Sequence, residues 1–266
     1  MPPSAVLKSL NFVTYIVAVS TIAFFNEFIQ KALADHPNYF TNSPVGFIIP
    51  AVNWFLLGGF TLVQWCDFAH EVVVEAISWR LFVSNLVIAA WVITWRLNWL
   101  VVGEILLIIN AILVWQLYMK MRNFTATNLV DFAFVHVSFS LYTGLVWLDV
   151  FQNFFAAFTS KDGGPMSWAA FGAAFAIFLL LAIGNYHAEF SKDPDSWAGA
   201  AIALMILSIG IEQGDQVPLV HNTCLVSFGW LVGALLRRSL CNMNLWRERT
   251  LDDELGERAE RRHLLG

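Results

Sequence analysis

Two carboxylates in this chain stand where a charge is costly. Glu104 and Asp149 each interrupt a long uncharged stretch. At membrane depth such groups face a bundle interior or a wet cavity, where they can anchor a ligand or pass a proton. Glu27 and Arg96 lie at the ends of neighbouring stretches. One basic and three acidic groups at similar depth could form a shared polar site at one mouth of a bundle. The alternative is that each sits at a helix end and reaches water independently. Asp149 is the stronger case, because apolar residues flank it on both sides. No compact catalytic signature accompanies these groups: GxSxG, HExxH, GxxxxGK[ST] and GxGxxG are all missing. The histidines (His36, His70, His136, His187, His221 and His263) are scattered and read as interfacial or singly hydrogen-bonded. Asp131 and His136 lie five apart and share a helix face poorly. Cys66, Cys224 and Cys241 have neither metal spacing nor an even count. Nothing here favours an enzyme, and neither a metal nor a nucleic-acid partner is expected.

The elements that must position these residues are written in the distribution of charge. Of 35 charged residues (15 Lys+Arg and 20 Asp+Glu), 13 fall in the last 30 positions. A soluble fold of this size needs a charged outer surface; with 58% hydrophobic residues and none of that surface, lipid must take its place. Crossing about 30 Å of hydrocarbon takes about 20 helical residues. Windows near that length with at most one internal charge are Ser9–Asn26, Val45–Cys66, Leu97–Met119, Asp131–Phe158, Met166–Tyr186 and Gln216–Leu236. Two shorter ones, Leu81–Trp95 and Ser196–Ile211, can span if flanking charges snorkel. The expectation is an all-α polytopic membrane bundle of eight helices, or seven if Ser196–Ile211 re-enters on one side. The 12 Trp and 23 Phe suit anchoring at two interfaces. The first stretch ends in Phe24-Phe25-Asn26-Glu27, without a small-residue cleavage pattern, and reads as a retained span.

Charge placement sets the direction. With both termini cytoplasmic, Lys8, Arg80, Lys120, Arg122, Lys192 and the seven arginines from Arg237 onward lie inside, against Lys31, Arg96 and Lys161 outside. That asymmetry follows the positive-inside rule. The longest outer loop is expected at Ala32–Ser43, bounded by Pro37 and Pro44. Thr159–Pro165, with Gly163-Gly164-Pro165, is the internal boundary. Three parts result: 1–158, a five-helix half; 159–240, a three-helix membrane extension; and 241–266, a charged cytoplasmic tail. The tail ends in a match to an acidic dileucine sorting signal, Glu260 to Leu265. Gly229-x-x-x-Gly233 on the last span, like Ala169/Ala173, Gly172/Ala176 and Gly199/Ala203, allows close helix packing within the chain or across a homodimer.

Aromatic and amide side chains concentrate in the first five spans, in three ordered patches. The first is Asn42-Ser43-Pro44-Val45-Gly46-Phe47 with Asn53-Trp54 and Gly58-Gly59. The second is Leu81-Phe82-Val83-Ser84-Asn85 with Trp91 and Trp95. The third is Phe139-Ser140-Leu141-Tyr142-Thr143-Gly144 with Trp147 and Asn153. Over about residues 9–157 these resemble the tryptophan-rich sensory protein family, also called TspO or the translocator protein, in a longer form with extra C-terminal helices. Two features depart from the family pattern: the double-proline lid is reduced to Pro44 and Pro50, and Trp147 does not directly follow Gly144. The resemblance implies a five-helix bundle around a pocket for a large flat apolar molecule, a porphyrin or sterol, beneath the first loop. It implies that Pro44, Trp54, Asn85, Trp91, Tyr142 and Trp147 line or cover that pocket. A sterol-type pattern, Leu113-x4-Tyr118-x-Lys120, is also present. The expected function is binding or sensing a hydrophobic small molecule. The alternatives are a secondary transporter using Glu104 and Asp149, or a scaffold or trafficking protein acting through the tail. The membrane is an endomembrane or the plasma membrane.

This topology places the Asn123-Phe124-Thr125 sequon on a cytoplasmic linker, where it stays unglycosylated. Enzymatic deglycosylation of the mature protein should leave its gel mobility unchanged; a shift would overturn the orientation.

Overall fold

The computed structural model describes residues 4–160, 164–190 and 195–264. Lys161, Gly163, Lys192 and Leu265, which entered the charge count, the internal boundary and the sorting pattern, lie outside the described residues. Among the described residues the protein is a bundle of helices without strands. We number the long helices α1 (Ser4–Asp35), α2 (Ile48–Val63), α3 (Arg80–Arg96), α4 (Leu100–Met121), α5 (Leu129–Phe158), α6 (Trp168–Asn185), α7 (Ser196–Gln213) and α8 (Pro218–Leu264). Seven segments are long and apolar enough to cross a membrane; the eighth candidate is a bent pair, Asp67–Ile77 with Arg80–Arg96, broken by 67°.

The outer surface is apolar, unlike that of a water-soluble protein, and polar side chains sit inside beside the hydrophobic cores. Phe55 on α2 is 70% exposed, while Asn53, two residues earlier, is 2% exposed. The same inversion places Asn11, Gln64, Asn85, Asn110 and Asn153 in the interior and Phe24, Leu129 and Trp168 on the outside. Apolar side chains gain nothing by leaving lipid, whereas polar groups must find partners inside. This arrangement and the apolar lengths make the chain an integral membrane protein.

Local sequence explains the helix ends. α1 has neither Gly nor Pro along its length and stops at Asp35, one residue before the restricted position preceding Pro37. The first loop is accordingly 36–43, shorter than the Ala32–Ser43 expected from charge alone, because Leu33, Ala34 and Asp35 continue the helix. Pro44 opens a 3₁₀ turn, Pro44–Phe47, that feeds into α2. Asn128 accepts hydrogen bonds from the backbone N–H groups of Val130 and Asp131 and starts α5. Ser167 and Asp195 cap α6 and α7 in the same way.

The seven-span alternative assigned re-entry to Ser196–Ile211. That segment is instead a full 18-residue helix, α7, buried along most of its length. The short element is α3, 17 residues long, entered through a π-helical turn at Val72–Ile77. Ser78 forms the bend with φ 49° and ψ −139°, a conformation that strains any residue with a Cβ. Its N–H reaches the carbonyl of Val73 at 2.7 Å. The sequence marks this corner with no glycine.

The close helix approaches follow some of the small-residue pairs and not others: a Cβ on Gly199, of the Gly199/Ala203 pair, would lie 3.3 Å from that of Ala188 and 3.4 Å from the Gly184 carbonyl oxygen. Gly229 and Gly233 face outward, with no atom of the described residues within 4 Å of where a Cβ would sit. The tight contacts belong to Gly184, whose Cβ would meet Leu231 at 2.9 Å, and Gly210, whose Cβ would meet Cys224 at 2.8 Å. On α5, Gly144 brings the backbone of α7 near: a Cβ there would lie 2.8 Å from the Ala198 carbonyl oxygen. One hydrophobic core joins Tyr39, Phe40, Leu145, Leu148 and Phe155 to Ile177, Ile206 and Leu231 of the C-terminal helices. A second core lies among α2, α4 and α5.

These contacts predict that Gly184→Leu destabilises the protein by about 1–3 kcal/mol, while Gly229→Leu is nearly neutral. Thermal unfolding of the two variants in one detergent measures the difference.

Candidate functional site

The three aromatic patches meet at one end of the bundle, around a cavity of about 190 Å³. Its walls come from the far half of α1 (Ile22, Asn26), the start of α2 (Pro50, Asn53, Trp54) and the end of α3 (Ile88, Trp91, Trp95). The rest comes from the middle of α5 (Tyr142, Leu145, Asp149, Asn153) and from Met205 of α7. Asn42, Gly46 and Phe47 close it from above.

The closing segment is held by later parts of the chain. Ser43 donates its backbone N–H to the Ser208 carbonyl at 3.2 Å, and the two hydroxyls are 3.1 Å apart. Gly46 packs where any side chain would collide with Ser208. Tyr39 donates its hydroxyl to the Gly164 carbonyl at 2.6 Å. Asn42 donates to Gln152 Oε1 on α5 at 3.1 Å, across the cavity roof. The lid is therefore a fixed cover anchored on α5, α7 and the chain before α6.

Asn153 organises the far wall. Its Oδ1 accepts from the indole N–H of Trp91 at 3.1 Å and of Trp95 at 2.8 Å. Its Nδ2 donates to the Leu100 carbonyl at 3.0 Å and to Glu104 Oε2 at 2.9 Å. Gly103, on the next face of α4, makes room for this cluster: a Cβ there would stand 3.1 Å from Asn153 Oδ1. A second buried knot fixes Tyr142. Ser84 donates to Asn110 Oδ1 at 2.6 Å and lies 2.8 Å from the Tyr142 hydroxyl, which also accepts from Asn110 Nδ2 at 3.2 Å. Trp54 is positioned by α1: Tyr15 donates to its carbonyl at 2.8 Å, and the rings lie 6.0 Å apart.

Of the six residues expected at a pocket, Trp54, Trp91 and Tyr142 line this cavity. Pro44 stands one step back, opening the turn that supplies Gly46 and Phe47. Asn85 is buried between α3 and α1 and donates to Thr14 Oγ1 at 3.3 Å. Trp147 packs between the two hydrophobic cores with its indole N–H buried and unpartnered among the described residues. Trp95, Asn53, Gln152, Asn153 and Met205 border the cavity without having been singled out as lining.

The intramembrane charges separate. Glu104 is held by Asn153, one amide behind the cavity wall. Asp149 faces the cavity itself and has no hydrogen bond or ion pair among the described residues. Arg96 leaves the site: its guanidinium lies over the Phe28 ring, 4.3 Å from the centroid, at the exposed end of α3. Glu27 is exposed on α1. The four do not form one polar cluster.

Replacing Asn153 by Leu should cost about 2–4 kcal/mol, since it removes several interhelical bonds at roughly 0.6–1.7 kcal/mol each and strands Glu104. Thermal unfolding with a Glu104→Leu double-mutant cycle reads this: the second change should cost less in the Asn153→Leu background than alone.

No curated protein and no solved structure matches the chain. A family model described as TSPO-like protein matches residues 5–237. That match reaches into every candidate membrane-spanning helix, including the last three, and covers the residues that line and close the cavity. The chain belongs to the TSPO-like protein family.

Proposed function

We propose that the protein binds or senses a hydrophobic small molecule in this cavity, one with a flat, extended skeleton of the porphyrin or sterol kind. The observation that carries the reading is the convergence of Trp54, Trp91, Trp95 and Tyr142 on one space roofed by Asn42, Gly46 and Phe47. Aromatic walls with a few fixed amides suit an apolar, weakly polar ligand. The aromatic rings are preorganised: Asn153 holds two of them by hydrogen bonds, the Ser84–Asn110 pair a third, and the Tyr15 ring packs against the fourth. Side chains held in place by neighbours lose little entropy when a ligand arrives. In this reading the protein lies with both termini in the cytoplasm, within an endomembrane or the plasma membrane.

The cavity favours a binder over a proton-coupled carrier. A relay needs titratable groups within reach of one another, and the two intramembrane carboxylates have different surroundings. Glu104 is tied to an amide behind the wall, and Asp149 stands by itself inside it.

Titration of the full-length protein in lipid nanodiscs with a porphyrin, and separately with a fluorescent sterol, should quench Trp emission saturably. Trp54→Leu and Trp91→Leu should each weaken the affinity about tenfold, the effect of removing one aromatic contact of about 1.4 kcal/mol. Unchanged affinity in both variants would remove the cavity as the binding site.

A further inference from the structure

The polar groups on the cavity wall are unevenly satisfied, and the imbalance has a sign. Trp91 and Trp95 direct their indole N–H groups at Asn153, and Tyr142 exchanges hydrogen bonds with Ser84 and Asn110. These donors are engaged within the protein. The Asp149 carboxylate borders the cavity and has no partner among the described residues. Asn42 and Asn53, 8% and 2% exposed, also line it, and the side-chain oxygen of each is buried without a partner. No Lys, Arg or His lines the cavity. Arg96, the nearest expected counter-charge, sits instead on the Phe28 ring and lines a separate surface depression with Lys31 and Asp35.

We propose that the cavity selects an apolar, aromatic-compatible molecule bearing a protonated amine, whose nitrogen pairs with the Asp149 carboxylate between the rings of Trp54, Trp91 and Trp95. This rests on the cavity-binding reading above and adds the chemistry of the ligand's head group. Three physical arguments converge. Asp149 is half-buried at the wall of an apolar cavity without a partner among the described residues, and a cationic donor supplies the missing interaction. Indole faces attract cations, most strongly where water is excluded. An anionic head would bury a second negative charge beside the first with nothing basic in the wall to offset it. The unpartnered oxygens of Asn42 and Asn53 accept the remaining N–H groups of an ammonium, whereas a carboxylate would find only acceptors at those atoms.

The test uses three flat probes with one skeleton and different heads: 1-pyrenemethylamine, 1-pyrenemethanol and 1-pyrenecarboxylate. Energy transfer from Trp to pyrene reports binding to full-length protein in phosphatidylcholine nanodiscs, with protein-free discs subtracted. The amine should bind about tenfold more tightly than the alcohol, the worth of one charge-assisted hydrogen bond, and the carboxylate more weakly than either. In Asp149→Asn the amine's advantage over the alcohol should vanish. Charge selection is overturned if the wild-type protein binds the alcohol or the carboxylate as tightly as the amine, or if Asp149→Asn keeps the preference. The wild-type comparison stands even if the variant does not fold. Failure of all three probes to bind folded protein would overturn the cavity reading itself, and this inference with it. Binding of all three with equal affinity would overturn only the head-group assignment.

Discussion

Inside a bilayer the scarce resource is a hydrogen-bond partner, and in this bundle one amide supplies four. Asn153 joins α5 to two tryptophans of α3, to a backbone carbonyl at the start of α4 and to Glu104 one turn further along. Lipid can satisfy none of these groups, so the three helices are held at a common register by the need to satisfy them together. Apolar packing could not fix that register by itself, because a leucine is nearly as comfortable against a lipid tail as against a neighbouring helix. The aromatic wall of the cavity is a consequence: the rings of Trp91 and Trp95 are held there because their N–H groups are tied to Asn153.

The cover of the cavity depends on the same constraint at the other end of the chain. The 36–47 segment has little regular structure of its own, and its backbone groups need partners. Ser208 on α7 accepts from the Ser43 N–H and donates its hydroxyl to the Ser43 carbonyl, Asn38 Oδ1 accepts from the Phe40 N–H, and the Asn42–Gln152 side-chain bond adds a tie to α5. Tyr39 and Phe40 are fully buried in a core built largely by α6, α7 and α8. A division into a five-helix binding half and a separate extension therefore describes the chain order better than the physics of the site. The extension supplies a wall residue, Met205, and most of what holds the lid. This accounts physically for one family pattern running from residue 5 to residue 237.

Much of the architecture was legible because solvent selection acts on whole segments. Eight windows with at most one internal charge map onto the eight long helices, and residues of all three aromatic patches meet at one cavity. Features that depend on one residue in a particular three-dimensional setting were not legible. Ser78 is neither Gly nor Asn, so no residue type marks the positive φ at this bend of 67°. Gly229 and Gly233 have the spacing for helix contact but face outward, whereas Gly184 and Gly210, in pairs of the same spacing with Ala188 and Gly214, make the contacts. Spacing describes a helix face; only the rotation of the helix decides what that face meets. Asn153 could be noticed as the amide after the Tyr142 patch, but its two indole partners lie about sixty residues away on a different helix.

The two intramembrane carboxylates show how burial and partnership separate into different meanings. Glu104 and Asp149 looked alike in sequence, each a single charge within an apolar stretch. In the fold, Glu104 accepts from Asn153 and becomes part of the framework that holds α4 to α5. Asp149 lies on the neighbouring turn of α5 from Asn153, yet it points at open space with no cation or amide assigned to it among the described residues. A framework role explains the first and cannot explain the second. An apolar residue at position 149 would remove the desolvation cost and leave every hydrogen bond around Asn153 in place. The cavity beside Asp149 has room for something of opposite charge, so its contents are the natural place to look for the compensation that the described residues do not provide.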